Sequence, residues 1–317
     1  MGNGKKFSWI LGALALLILF LLPLIIPQFW ICLMTEILIL GLAGMALNLL
    51  LGYGGSLPFG QSAFYATGAY ATAILLTKTA MPQLLVLFIA PFIAAAVGAV
   101  FALLLARLYR FYYALMTTAF SMLVWTVIRK WSSLTRGDNG ITGVEFTGIL
   151  NGINNTYLFT LVIVLCSIAI LWVIINSPFG WTLRAIRENP NRIAFAGINV
   201  VTHRFIAFVI SSFFTGVAGA LYVVYSHSTF PDFAYWVKAA DIVTITILGG
   251  MFYFLGPLVG ATALIFLQTW VTSVTFYWPL ILGIIICIAV LVMPDGLLGI
   301  WKRLGLFKGV GMNQPHE

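Results

Sequence analysis

The groups in this chain able to do acid, base or ligand chemistry are few and scattered. The sequence holds 8 acidic residues, 3 histidines and 3 cysteines among 317 positions. Glu36 and Asp241 are the acids closest to entering apolar runs, and each lies within a turn or two of a run's end, Asp241 being close to Lys238. Ion-coupled carriers place acids nearer mid-membrane, so these two read as interfacial pairing groups. His203 adjoins Arg204 and His227 begins a polar connection; neither has a carboxylate or cysteine neighbour with which to form a catalytic pair or a metal set. Cys32, Cys166 and Cys287 stand isolated in apolar runs and read as small core residues. The chain has no His-Glu-x-x-His and no acid or nucleophile pair within a span, so an enzyme reading is poor. It also lacks a Gly-x4-Gly-Lys-Ser/Thr loop and does not hold nucleotide phosphates in the usual way.

What remains is docking chemistry and hydrogen bonding. The polar stretch 177–204 carries Arg184, Arg187, Arg192 and Arg204, in a chain of which only 8% is charged. Reversing direction outside a bilayer takes a few residues, so a connection of this length with its own helix signals reads as a docking surface. Ser177-Pro178 has the order of a helix start, and Asn189-Pro190 repeats it; Gly197 is placed to end the second helix. Two short helices are expected, with Arg184 and Arg187 on one face of the first. A cationic helix lying on anionic lipid is the alternative. Glu188 and the small residues Ala185 and Gly197 favour a protein-binding pair.

Composition dictates what must position these groups. Hydrophobic residues make up 62% of the chain, and mean hydropathy is +1.07. Soluble domains carry roughly 25% charged residues, so this is an integral membrane protein, and its long apolar runs call for helices rather than a barrel. The excess of 16 basic over 8 acidic residues is not a nucleic-acid signal, because the basic residues sit at segment ends. About ten spans are expected from the length rule: 8–27, 31–51, 57–77, 83–106, 112–128, 157–176, 205–226, 239–254, 257–275 and 278–293. The first, preceded by Lys5 and Lys6, is too long for a signal-peptide core and reads as a retained helix. The alternate ends hold Lys5, Lys6, Arg107, Arg110, Arg184, Arg187, Arg192, Arg204, Lys302, Arg303 and Lys308, against Lys78, Arg129, Lys130, Arg136 and Lys238. That bias puts both termini and the 177–204 loop in the cytoplasm and the 129–156 segment outside. The whole chain, 1–317, reads as one all-helical membrane domain.

The residues also carry a family pattern. Ser177-Pro178-Phe179-Gly180, Arg184-Ala185-Ile186-Arg187-Glu188-Asn189 and Ala196-Gly197-Ile198-Asn199-Val200 form one block. It continues into Arg204, Ala207-Phe208 and Gly216–Leu221. Upstream lie Leu51-Gly52-Tyr53-Gly54-Gly55-Ser56-Leu57 with Gly60-Gln61-Ser62-Ala63-Phe64, then Thr135-Arg136-Gly137-Asp138-Asn139-Gly140. Leu248-Gly249-Gly250, Gly256-Pro257, Gly260 and Met293-Pro294-Asp295-Gly296 complete it. Together these resemble the permease subunits of branched-chain amino acid ABC importers, and the long 129–156 stretch favours the M-type subunit over its H-type partner. Gln61 stands where many members carry His, which bears on substrate preference. Pro190-Asn191-Arg192 replaces a more Glu/Ala-rich run, which bears on ATPase pairing.

The resemblance implies that Phe179, Gly180, Arg184, Ala185, Arg187, Glu188 and Gly197 couple the chain to an ATP-binding subunit. It implies a homologous second permease, two ATP-binding subunits that hold the ATP, an extracytoplasmic solute-binding protein and membrane lipid as partners. No cofactor or metal is expected in this chain. The residues add their own message. Gly52, Gly54, Gly55, Pro58 and Gly60 break the helix between two apolar runs. Irregular backbone at membrane depth is tolerated where protein covers it or where it lines a wet cavity. Tight packing is one reading; the other is a translocation path lined by Asn48, Gly54, Gly55, Gln61 and Ser62. A second break at Gly249, Gly250 and Gly256-Pro257 extends that path and suggests an internal repeat. In the segment 129–156, Arg129, Lys130, Arg136 and Asp138 are the candidate contacts for the binding protein, a solvated cap being the alternative. The expected cargo is leucine, isoleucine or valine, with urea, short amides or other amino acids as alternatives. An ion-coupled carrier is the competing class.

Overall fold

The computed structural model describes residues 19–20, 22–23, 26–79, 81–105, 108, 110–274, 277–292 and 296–303. The expected span 8–27, the basic residues Lys5, Lys6, Arg107 and Lys308, and the motif Met293-Pro294-Asp295 fall largely or wholly outside them. α1 (Gln28–Asn48) runs without a break into a π-helical turn, Leu49–Tyr53. There Gly54 N bonds the Leu49 carbonyl at 3.1 Å and Ser56 N the Leu50 carbonyl at 2.9 Å, which widens the last turn and leads the chain out of the helix. α2 (Gln61–Lys78), α3 (Gln83–Leu105) and α4 (Arg110–Lys130) follow. α5 (Ile153–Asn176) leads into α6 (Pro178–Glu188) and α7 (Pro190–Phe195). α8 (Val200–Ser226), α9 (Trp236–Gly249), α10 (Gly256–Val274), α11 (Trp278–Val292) and α12 (Gly296–Arg303) complete the order.

Among the described residues, 6 helices are long and apolar enough to cross a membrane: α1 with its π turn, α3, α4, α5, α8 and α10. The expected span 239–254 is corrected: α9 has 14 residues and stops at Gly249. At about 1.5 Å per residue it reaches roughly 21 Å, short of the ~30 Å hydrocarbon core. Gly250, at φ 110°, ends it in a conformation other residues rarely adopt. The loop 177–204 is also shorter than expected, since α8 begins at Val200.

α1 and α8 form the centre. α1 has no continuous polar stripe and is covered by α5, α8, α9 and α10. α8 lies against α1, α2 and α3. The α2–α8 crossing depends on small residues: a Cβ added to Gly68 would run into the Gly216 backbone, so the two chains touch directly. At the far end of α8 a short ladder pairs Ile141 with Thr229 and Thr142 with Ser228. His227, in left-handed conformation at the α8 C-terminus, accepts from Val144 N through its carbonyl at 3.1 Å. The segment 131–152 is thereby strapped over that end as a cap.

Candidate functional site

At the end of the bundle opposite the cap, α6 and α7 form as the capping residues dictate. Pro178 opens α6, although the Ser177 hydroxyl turns back to donate to the Ile174 carbonyl at 2.6 Å rather than capping. Asn189 caps α7 by accepting from Arg192 N at 3.0 Å, and Asn199 caps α8 by accepting from Thr202 N at 3.1 Å. Gly197, at φ 84°, closes α7: its N–H reaches the Ala194 carbonyl at 3.0 Å and Ile198 N the Ile193 carbonyl at 3.3 Å, a Schellman ending.

Gly180, Leu183 and Ile186 form the buried stripe of α6. Gly180 packs so closely on the end of α5 that a Cβ would strike the Ile175 carbonyl. Phe179 stacks on His203 of α8 with ring centres 5.7 Å apart and planes at 14°. Both arginines assigned to the docking face by spacing reach the chain's own backbone breaks. The Arg184 guanidinium lies 5.0 Å from the Tyr53 ring and 4.6 Å from that of Trp181. Arg187 donates from Nη1 to the Gly52 carbonyl and sits 4.7 Å from the Phe252 ring. Its aliphatic stem lies against Gly55, which holds φ 65°. Burial lowers the Arg187 guanidinium from its ordinary value, and neighbouring Glu188 opposes that shift. The outward surface of the pair carries Trp181, Glu188, Arg192 and Phe195; Phe195 is 93% exposed. Ala185 is half-buried between the two faces.

The two backbone breaks abut. Asn48 Nδ2 donates to the Tyr253 carbonyl at 3.2 Å, and Gly52 sits against the Met251 carbonyl with no room for a side chain. Gly54 is buried in the first break, while Gly249 and Gly250 of the second pack against the backbone of Gly256. Gln61 and Ser62 are fully buried. The Gln61 amide donates to Ser211 Oγ at 2.9 Å and accepts from Thr215 Oγ1 at 3.0 Å. Ser211 passes its own proton to the Ala46 carbonyl at 2.6 Å, and Ser62 donates to the Ala234 carbonyl at 3.1 Å. This conformation is closed at that depth. Sequence reasoning missed Ser211 and Thr215, whose one-turn spacing inside an apolar helix was the available signal. It also missed Phe252 and Tyr253, which gave none.

In the cap, Arg129 grips Asp138 through two nitrogens, one contact measuring 2.9 Å, and lies 4.6 Å from the Trp125 ring. That hydrogen bonding lowers the Asp138 carboxyl from its usual value. Lys78 Nζ donates to the Ser133 carbonyl at 2.8 Å, and Gln83 exchanges hydrogen bonds with Thr147 at 3.1 and 3.2 Å. Lys130 and Arg136 are exposed and enter no ion pair among the described residues. No group of metal-ligating side chains gathers among the described residues.

A largely helical membrane-spanning bundle with a polar helix pair at one end and a strapped cap at the other defines a polytopic membrane protein. The profile of the family described as "Branched-chain amino acid transport system / permease component" matches residues 30–292, and the chain belongs to that family. It is 26% identical over 324 residues to the Escherichia coli (strain K12) high-affinity branched-chain amino acid transport system permease protein LivM, covering 93% of this chain and 76% of that one. It is 27% identical over 191 residues to a probable permease protein LivM of Methanocaldococcus jannaschii, covering 59% and 55%. A probable LivH of the same organism aligns over 174 residues at 27% identity, covering 50% and 51%. No solved structure gives a significant match.

Proposed function

We propose that this chain is one permease half of an ATP-driven importer of leucine, isoleucine and valine in a bacterial or archaeal cytoplasmic membrane. The observation that carries the reading is the α6–α7 pair: held inward by Arg184 and Arg187, it presents Trp181, Glu188 and Phe195 to solvent. An exposed aromatic beside a carboxylate, on a rigidly mounted helix pair, suits insertion into a groove on a soluble partner. Two ATP-binding subunits supply nucleotide and hydrolysis. A second, homologous permease completes the membrane part, in keeping with the likeness to both LivM and LivH relatives. A solute-binding protein docks on the cap through Lys130 and Arg136, beside the Arg129–Asp138 pair. ATP-driven closure moves α6 and α7, and the breaks at Gly52–Gly60 and Gly249–Gly256 re-pack to open a path past Asn48, Gly54, Gly55, Gln61 and Ser62. The chain as a whole is one domain of about ten membrane segments with both termini in the cytoplasm.

The test is uptake of radiolabelled leucine by cells lacking and regaining this protein, with and without ATP depletion, using urea as competitor. ATP-dependent uptake that follows the protein and ignores urea supports the reading. Competition by urea moves the cargo to amides within the same architecture. Uptake that survives ATP depletion but collapses with a proton uncoupler sinks the importer in favour of an ion-coupled carrier.

A further inference from the structure

Glu36 and Asp241, expected as interfacial pairing groups, form no direct ion pair among the described residues. Lys238, in the first turn of α9, holds its ammonium 5.8 Å from the centre of the Tyr65 ring and 5.9 Å from that of Tyr222. Those are cation–π distances, and among the described residues no carboxylate comes within 4.0 Å of it. Glu36 of α1 and Asp241 of α9 are nevertheless both within the field of the Lys238 charge. Glu36 also lies within electrostatic reach of Tyr65, Tyr222 and Tyr225. The aromatic side chains form a continuous wall: Tyr222 lies 5.7 Å from Tyr225 and 5.0 Å from Phe233, and Phe233 lies 6.0 Å from Tyr65. Tyr65 is fully buried, and its hydroxyl has no hydrogen-bond partner.

Four elements, α1, α2, α8 and α9, thus bring two carboxylates, one ammonium and one unsatisfied phenol to a single place toward the cap end of an otherwise apolar bundle. Charged groups at such positions are costly unless function retains them, and a buried hydroxyl without a partner is uncommon. Lys238 compensates the two carboxylates only in part, because one ammonium faces two acids and forms no direct ion pair with either among the described residues. Their layout fits a molecule that carries both signs.

We propose that Glu36, Asp241, Lys238 and Tyr65 bind a free α-amino acid zwitterion. Its ammonium lies between Glu36 and Asp241, its carboxylate meets Lys238 and the Tyr65 hydroxyl, and its side chain rests on Tyr222, Tyr225 and Phe233. The long lysine stem lets the ammonium leave the aromatic faces when a carboxylate arrives. An apolar cargo side chain suits the aromatic wall. The proposal rests on the importer reading and adds to it a receiving site between the cap and the closed region at Gln61.

The assembled transporter, purified into nanodiscs without binding protein, is titrated with radiolabelled leucine. Competitors are 3-methylbutylamine, which lacks only the carboxylate, and 4-methylpentanoate, which lacks only the ammonium. Leucine binds wild type, and each single-charge analogue binds at least about tenfold more weakly. Lys238→Gln brings leucine down to the level of the amine. Glu36→Gln and Asp241→Asn, alone or together, bring it toward the level of 4-methylpentanoate. Tyr65→Phe weakens leucine and 4-methylpentanoate while leaving the amine unchanged. A wild-type complex that binds no leucine, or variants that weaken all three ligands alike, overturn the site. ATP-dependent uptake by the same wild-type preparation, with binding protein added, is scored separately. Its absence removes the importer reading, whereas its presence without leucine binding removes this site alone.

Discussion

The Arg187 guanidinium of α6 donates to the Gly52 carbonyl of the π turn while lying 4.7 Å from the ring of Phe252 in the α9–α10 turn. One side chain therefore touches both places where the backbone leaves helical geometry at that end of the bundle. Any shift of α6 is felt at both breaks, because Asn48 also fastens one to the other. A charge-assisted hydrogen bond contributes about 1.5–3 kcal/mol, enough to bias a two-state element appreciably.

Arg187→Met is therefore expected to uncouple rather than disassemble. Leucine uptake should fall by about tenfold or more while the ATP-binding subunits still co-purify, since Arg187 faces inward. Loss of uptake and of co-purification in parallel would place Arg187 on the docking face and remove the transmission role.

Phe195 gives the opposite pattern. At 93% exposure its replacement by Glu should change the stability of the isolated chain by no more than about 0.5 kcal/mol. Co-purification with the ATP-binding subunits should nonetheless be lost, read as the subunit ratio on size exclusion. A normal ratio would mean that α7 does not reach the partner.

The hydrogen bonds at Gln61 predict an order of stabilities. Gln61→Leu leaves Ser211 and Thr215 satisfied, because each also donates to a backbone carbonyl, at 2.6 and 2.9 Å. Ser211→Ala instead strands a buried Gln61 N–H, costing about 1–3 kcal/mol. The thermal midpoint in detergent should therefore drop further for Ser211→Ala than for Gln61→Leu. The reverse order would show that the Gln61 amide is not locked in this network.

The cap should respond to acid in one direction. Hydrogen bonding from Arg129 holds the Asp138 carboxyl below its usual value. A depressed carboxyl contributes its tie above the ordinary carboxylate range, and the tie is lost as pH falls through the lowered value. Amide protection factors in segment 131–147, the intrinsic rate at each pH divided by the observed one, should thus be level from neutral pH down to about pH 4, the model-peptide range for Asp, and fall below it. Asp138→Asn should show the lower protection near neutral pH, and the difference from wild type should close as acid removes the wild-type tie.

Composition determined that this chain is a membrane protein, because a surface with so few charges is not stable in water, and the length of its apolar runs determined that it is helical. Local capping residues determined α6, α7 and their ends, since Asn189, Gly197 and Asn199 act within one turn of chain. The direction in which Arg184 and Arg187 point was decided by tertiary structure. Helical spacing puts them on one face, but only the position of the Tyr53 and Phe252 turns makes that face the inner one. The same holds for α9, which has a span-like run of apolar residues but is cut short at Gly250, where the backbone must clear Gly256 and Gly296. Glu36, Lys238 and Asp241 are the clearest case. Their distance in sequence offers no hint that α1 and α9 meet around Tyr65, and only packing brings charges from separate helices to one place.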